Sequence, residues 1–242
     1  MNLDASGRVV IVTGGAGGVG NTVSRRWLDA GASVLVVDRK QAALDQWLSE
    51  FSQPDWGERA AVFATDVTTE AGAKQMTNHA LISFGKPADT LIHLVGGFAD
   101  AAVEDENAQR TWDSMFALNV TSAFQCFRAM LPGLRARGGG WMVGLSSRAA
   151  ENPGPRISAY AASKAALGAL TCSLSAEVRA AGIHVNLIVA STIDTPANRK
   201  SMGEAEAVNW VSPDDIADAT MYLCSDKSRS VHGATLELFA NA

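Results

Sequence analysis

Apolar and polar positions follow two periods that take turns along the whole chain. Short, largely apolar runs at Arg8–Thr13, Ser33–Asp38, Ala60–Thr65, Thr90–Val95, Gly140–Leu145, His184–Val189 and Thr235–Phe239 predict strands. Segments with helical spacing lie between them: Gly18–Ala30, Gln41–Phe51, Thr69–Phe84, Glu104–Arg137, Ser158–Ala181 and Pro213–Ser225. Glu104–Arg137 is long enough for one short and one long helix, with Pro132 near its end. Strands that are apolar nearly throughout must be covered on both faces. The alternation therefore predicts an α/β fold: a single doubly wound Rossmann-like domain over residues 1–242, its parallel sheet flanked by helices on both faces. Residues 192–211 show neither period. A loop of about 20 residues in a compact domain is usually functional or mobile.

Composition narrows the function. With 242 residues, 47% of them apolar, the chain can bury one medium core. No window reaches the ~18 uninterrupted apolar residues of a membrane span. The start, Met1-Asn2-Leu3-Asp4, lacks the basic residues of a secretory leader. A cytoplasmic protein with no membrane partner is expected. A formal charge of −5 gives no basic footprint for nucleic acid. Cys126, Cys172 and Cys224 are odd in number and far apart, and each sits in an apolar, helix-like context that predicts a buried free thiol. The four histidines have no metal-ligand spacing, so no metal site is expected.

The first strand runs into Thr13-Gly14-Gly15-Ala16-Gly17-Gly18-Val19-Gly20, and the first helix follows. Glycines let a backbone turn tightly and approach a pyrophosphate, and the helix N-terminus offers free N–H groups with partial positive charge. A glycine pattern alone is a weak signal, but its place between the first strand and first helix of a βαβ unit is the confirming context. Gly14, Ala16, Gly17, Gly18 and Val19 are thus candidates to hold a dinucleotide. Asp38 ends the second strand about 20 residues on, where a carboxylate can accept hydrogen bonds from an adenosine ribose and would repel a 2′-phosphate. Arg39 beside it could bind such a phosphate, so NAD is favoured and NADP is the alternative. Asp66, followed by Val67, could bond an adenine amino group or could cap the next helix.

Tyr160-Ala161-Ala162-Ser163-Lys164 puts Tyr and Lys at i and i+4 on one helix face. A free tyrosine titrates near pH ~10, and a general acid/base works best nearer the operating pH. A neighbouring ammonium favours phenolate and lowers that pKa. Ser146 and Ser147 end the fifth strand, at the sheet edge where doubly wound folds bind ligands. A serine nucleophile is the competing idea, but Leu145-Ser146-Ser147 lacks the G-x-S-x-G elbow and no His–Asp pair serves it.

The glycine loop, Asn119 in Leu118-Asn119-Val120, Ser147, Tyr160 and Lys164 together resemble the short-chain dehydrogenase/reductase family, over essentially the whole chain. The resemblance implies a seven-stranded domain and an oxidoreductase moving a hydride between nicotinamide and a carbonyl or alcohol. It further implies Tyr160 as acid/base and Ser147 orienting the substrate oxygen. Lys164 would tune Tyr160 and hold the nicotinamide ribose, and Asn119 would support a water that relays protons. Val95, Gly96, Gly97, Ala190, Ile193 and Thr195 fall where the family meets its cofactor. A homodimer or homotetramer is implied too, with apolar residues Phe116, Phe124, Phe127, Leu167, Leu170 and Leu174 spread over several helix faces.

The chain also departs from the family pattern. His93-Leu94-Val95-Gly96-Gly97 stands where most members carry Asn-Asn-Ala-Gly, and Ala190-Ser191 stands for Pro-Gly. The stretch from Thr192 to Met202 with Trp210, and Val95-Gly96-Gly97-Phe98, are similar to quinonoid dihydropteridine reductases. Those lack the serine found here at 147, which favours a more ordinary carbonyl substrate. Phe98, Met202 and Trp210 are candidate pocket walls, and Arg148 a candidate for a polar or anionic group. The altered loops also motivate a non-catalytic NAD-binding regulator as a second class.

Overall fold

The computed structural model describes residues 4–51 and 53–241. Seven strands form one parallel sheet: β1 (Val9–Thr13), β2 (Ser33–Asp38), β3 (Ala60–Ala64), β4 (Thr90–His93), β5 (Gly140–Ser147), β6 (Ile183–Ala190) and β7 (Thr235–Leu238). Their order is β3-β2-β1-β4-β5-β6-β7. The order reverses between β1 and β4, whose C-terminal ends pair as Thr13 with His93. Ligands of doubly wound sheets bind at such a switch point.

Among the described residues, eight α-helices connect the strands: α1 (Gly18–Asp29), α2 (Gln41–Phe51), α3 (Glu70–Phe84), α4 (Ala108–Phe116), α5 (Ser122–Arg137), α6 (Ser158–Val178), α7 (Pro196–Met202) and α8 (Pro213–Leu223). Successive strand residues point to opposite faces, so each strand feeds two cores. Val10, Val12, Val34 and Val36 pack with Val23, Trp27, Leu44 and Ile216 under α1, α2 and α8. Val9, Ile11, Leu35 and Val37 pack with Met76, Phe127, Leu134 and Leu167 under α3, α5 and α6.

Some expectations need correction. Residues 192–211 are not structureless: Thr195 caps α7 by accepting from the Asn198 N–H at 3.2 Å, and Pro196 occupies its first turn. β5 runs two residues beyond Leu145, because Ser146 and Ser147 stay paired with Val189 and Ala190. The segment before β5 is one helical path, in which a π turn at Ala117–Thr121 joins α4 to α5. Cys126 and Cys224 are buried, but Cys172 is exposed on the outer face of α6. Of the six apolar residues spread over the helix faces, Phe127, Leu167 and Leu174 belong to the chain's own core, and Phe124 is exposed. Among the described residues, no helix is long and apolar enough to cross a membrane.

Candidate active site

The chain turns sharply after β1. Gly14 has φ +69°, and a Cβ there would lie 3.2 Å from the Leu94 carbonyl. A Cβ on Gly20 would lie 2.1 Å from the Gly14 oxygen, so only glycine lets α1 start this close to the loop. Gly17 caps α1 without any side-chain hydrogen bond. The helix thus offers backbone N–H groups and dipole to an anion without a competing side chain. A cavity of about 400 Å³ over it is lined by Gly14, Gly17, Gly18, Val19, Leu94 and Thr195. Ala16 lies in the loop but leans on the core beneath it. These cradles fit a dinucleotide pyrophosphate.

A second cavity, about 270 Å³, adjoins the loop and collects Asp38, Arg39, Asp66, Val67, Val95 and Gly96. Asp38 Oδ1 accepts from the Lys40 N–H at 3.2 Å, which fixes the carboxylate at the tip of β2. Asp66 does not cap α3. Its Oδ1 accepts from the Thr68 N–H and hydroxyl, at 3.0 and 2.7 Å, and Thr69 makes the cap instead. The Thr68 bonds, with a smaller contribution from Arg39, hold the Asp66 carboxyl below its usual range. It is an anion facing the cavity.

A third cavity, about 600 Å³, opens beyond β5 and β6 and is lined by Ser147, Tyr160, Lys164, Ala190, Ile193 and their neighbours. Ser147 and Tyr160 line it together, and the Ser147 side chain acts on Tyr160 in the direction that favours the phenolate. Lys164, one turn on from Tyr160, donates to the Leu145 carbonyl at 2.9 Å, with Nζ 6.0 Å from the Tyr160 ring centroid. Burial pushes Lys164 down to about 8. Burial also raises Tyr160 above its ordinary value, and the Ser147 bond opposes that rise only in part. The expected lowering of Tyr160 is therefore not produced by these side chains alone, because desolvation of the phenolate outweighs the Ser147 contribution.

Asn119 sits in the π turn, buried. Its Oδ1 accepts from the Gly97 N–H at 2.9 Å, and its Nδ2 donates to the Gly97 carbonyl at 3.1 Å and to Ser163 Oγ at 2.9 Å. The side chain ties the loop after β4 to the Tyr160 helix. Gly96 packs where a Cβ would lie 2.8 Å from Asn119 Oδ1 and 3.2 Å from Lys164 Nζ. Beneath the switch point lies a buried histidine that no motif marks. His93 bridges Thr13 Oγ1 at 2.8 Å and Ser122 Oγ at 3.1 Å. Burial, aided by Lys164, pushes it down to about 3, so it is neutral. Ser146 also lines the third cavity, with its hydroxyl bonded to the Lys164 carbonyl at 3.0 Å.

Phe98 and Met202 do reach the third cavity. Phe98 meets the Tyr160 ring edge-to-face, centroids 5.0 Å apart. Arg148 and Trp210 do not. Arg148 lies over the Phe239 ring at 5.1 Å, and Trp210 is buried at the base of the 192–211 segment. Ile157, Asn198 and Ser201 line the cavity unforeseen; the α7 cap at Thr195-Pro196 was the available signal for the last two. A separate groove of about 510 Å³ between α3 and α5 contains none of these residues.

Comparison with known proteins gives the family and agrees with the fold. Residues 8–206 match the model of the short chain dehydrogenases. The chain belongs to that family. A 3beta-hydroxysteroid dehydrogenase of Eggerthella lenta is 31% identical over 247 residues, covering 98% of this short-chain dehydrogenase and 94% of the relative. Among solved structures, a 3-ketoacyl-(acyl-carrier-protein) reductase of Brucella melitensis complexed with NADH superposes with TM-score 0.85 at 25% identity, covering 97% of this chain and 98% of that one. A gluconate 5-dehydrogenase of Burkholderia cenocepacia with NADP and tartrate gives 0.86 at 25% identity, over 97% and 94%. This short-chain dehydrogenase is thus an oxidoreductase of a family that uses a nicotinamide coenzyme.

Proposed function

We propose that this enzyme interconverts an alcohol and a carbonyl compound with NAD, using Tyr160 as general acid/base. The observation that carries the reading is the joint placement of Ser147, Tyr160 and Lys164 on one cavity beyond the C-terminal ends of β5 and β6. When bound, the nicotinamide supplies or accepts the hydride. Tyr160, protonated in its resting state, gives its proton to the carbonyl oxygen in the reductive direction. Ser147 shares that oxygen and steadies the hydroxyl of Tyr160. Lys164 stands one helical turn away, its ammonium available to stabilise the phenolate that forms. Asn119 is a positioning residue, because its side chain is committed to Gly97 and Ser163.

Asp38 supports NAD over NADP. Its carboxylate, held by the Lys40 N–H, stands at the tip of β2 in the cavity beside the phosphate loop. A 2′-phosphate there would meet like charge. The substrate is a small molecule, and the exposed apolar side chains of α4 and α5, Trp112 and Phe124, support a homo-oligomer.

The test is a kinetic screen with NADH and NADPH against ketones, keto-esters and a quinonoid dihydropterin, run beside Tyr160→Phe. NADH-dependent carbonyl reduction should appear in the parent enzyme, and the variant's kcat should fall by roughly 10²-fold or more with coenzyme binding retained. Unchanged turnover in the variant would remove Tyr160 from the chemistry. Tight coenzyme binding without any turnover would favour the regulator.

A further inference from the structure

The third cavity is lined by few charges. Lys164 is its one charged side chain among the described residues, and its Nζ is committed to the Leu145 carbonyl. Three arginines adjoin lining residues in the sequence, and each is engaged elsewhere. Arg156 pairs with Asp100 and Asp105, at 3.4 and 2.9 Å. Arg199 pairs bidentately with Asp194, at 2.5 and 2.7 Å. Arg148 lies over the Phe239 ring. What remains for a substrate is an apolar wall of Phe98, Ile157, Ile193 and Met202, with uncharged polar side chains between them, Ser147, Thr192, Asn198 and Ser201 included.

Phe98 and Met202 are unusual for solvent-facing positions. They are 64% and 60% exposed, yet both line the cavity. Large apolar side chains exposed at the rim of a concave site mark a surface that a ligand covers. A carboxylate brought against this wall would leave water without a guanidinium to receive it, which is costly.

We propose that the Phe98–Met202 cavity selects neutral, apolar-bodied ketones and secondary alcohols and discriminates against substrates carrying a carboxylate or sulfonate. The proposal rests on the oxidoreductase reading above and deepens it.

The experiment compares acetophenone with 4-acetylbenzoate, which share one carbonyl and differ by a single anionic group. Turnover is followed through nicotinamide absorbance. In parallel, affinity for the Tyr160→Phe enzyme saturated with NADH is measured by equilibrium dialysis, so that binding is read without chemistry. The neutral ketone should win by about 100-fold or more in kcat/KM and in affinity. Met202→Arg should raise kcat/KM for the carboxylate by roughly 10-fold or more, through a charge-assisted hydrogen bond. Equal binding of the two ketones, or no binding of either, overturns the proposal. Preferential binding of acetophenone without turnover sustains the pocket's selectivity and overturns the catalytic reading instead. An unchanged carboxylate preference in Met202→Arg removes Met202 from the specificity surface.

Discussion

Two ends of the same strands treat buried charge in opposite ways. At the N-terminal edge, Arg8 pairs with Asp89 at 3.1 Å and bonds Thr90 Oγ1 and the Cys224 carbonyl. Its guanidinium lies between the rings of Trp27 and Trp141, 5.1 and 4.2 Å from their centroids. Asp89 also accepts from the Val9 N–H at 2.8 Å and the Thr90 hydroxyl at 2.7 Å. Every charge there has partners of the right kind. At the C-terminal edge, Lys164 is 6% exposed and its hydrogen bond goes to a neutral carbonyl. No carboxylate forms a salt bridge with it among the described residues. The first arrangement supports the fold. The second costs stability, and that cost appears as a depressed pKa, a common property of groups that take part in proton transfer.

Substitutions at the two edges should therefore fail in different ways. Lys164→Met should have the largest effect: kcat falls on the order of 10²–10⁴-fold, while the melting temperature stays level or rises, because an uncompensated charge is gone. A melt lowered by several degrees would show that Lys164 supports the fold after all. Asp89→Ala should do the converse. It strands the Arg8 guanidinium and the Val9 N–H, at a cost of about 3 kcal/mol in a denaturant titration, with kcat per folded molecule intact. Replacing the pair together, as Arg8→Met with Asp89→Leu, should recover part of that loss.

The smallest effect is on pH. Lys164 titrates near 10.5 when unfolded and at about 8 in the fold. Between those values the unfolded chain holds the extra proton, so stability rises with pH. Tyr160, raised above its ordinary 10 by burial, acts in the opposite sense above pH 10. The rise should thus occupy pH 8 to 10 in chemical denaturation, and it should flatten in Lys164→Met. A slope that survives the substitution would place its origin in another group.

Much of the architecture was legible because strands buried on both faces must be apolar throughout, and each was bounded by a turn residue. The strand ends were harder. The apolar run of the fifth strand stops at Leu145, while Ser146 and Ser147, read as the strand's end, stay in the ladder against Val189 and Ala190. Cys172 was misplaced for a related reason: α6 is rich in alanine around its whole circumference, so no apolar stripe tells its faces apart. At the site, residues tied to backbone motifs were readable, namely the glycine loop, Asp38 and the Tyr160–Lys164 spacing. Arg148 and Trp210 were not, because side-chain direction at a loop depends on neighbours distant in sequence. Arg148 found Phe239, 91 positions on, and Trp210 entered the core. The direction of the Tyr160 shift was also out of reach, since it is set by desolvation, which only the packed structure determines.

The π turn at Ala117–Thr121 sets the azimuth of everything after it. An α-helix advances by roughly 100° per residue, and a π turn inserts one residue without adding a turn. α4 and α5 are therefore joined without a break but differ in rotational phase. That offset lets Asn119 reach Gly97 and Ser163 while Ser122, three residues on, reaches His93 beneath the switch point. Removing one residue there would return a regular helix and unthread both contacts at once. The insertion works as an indexing notch, aligning the loop after β4 with the helix that carries Tyr160.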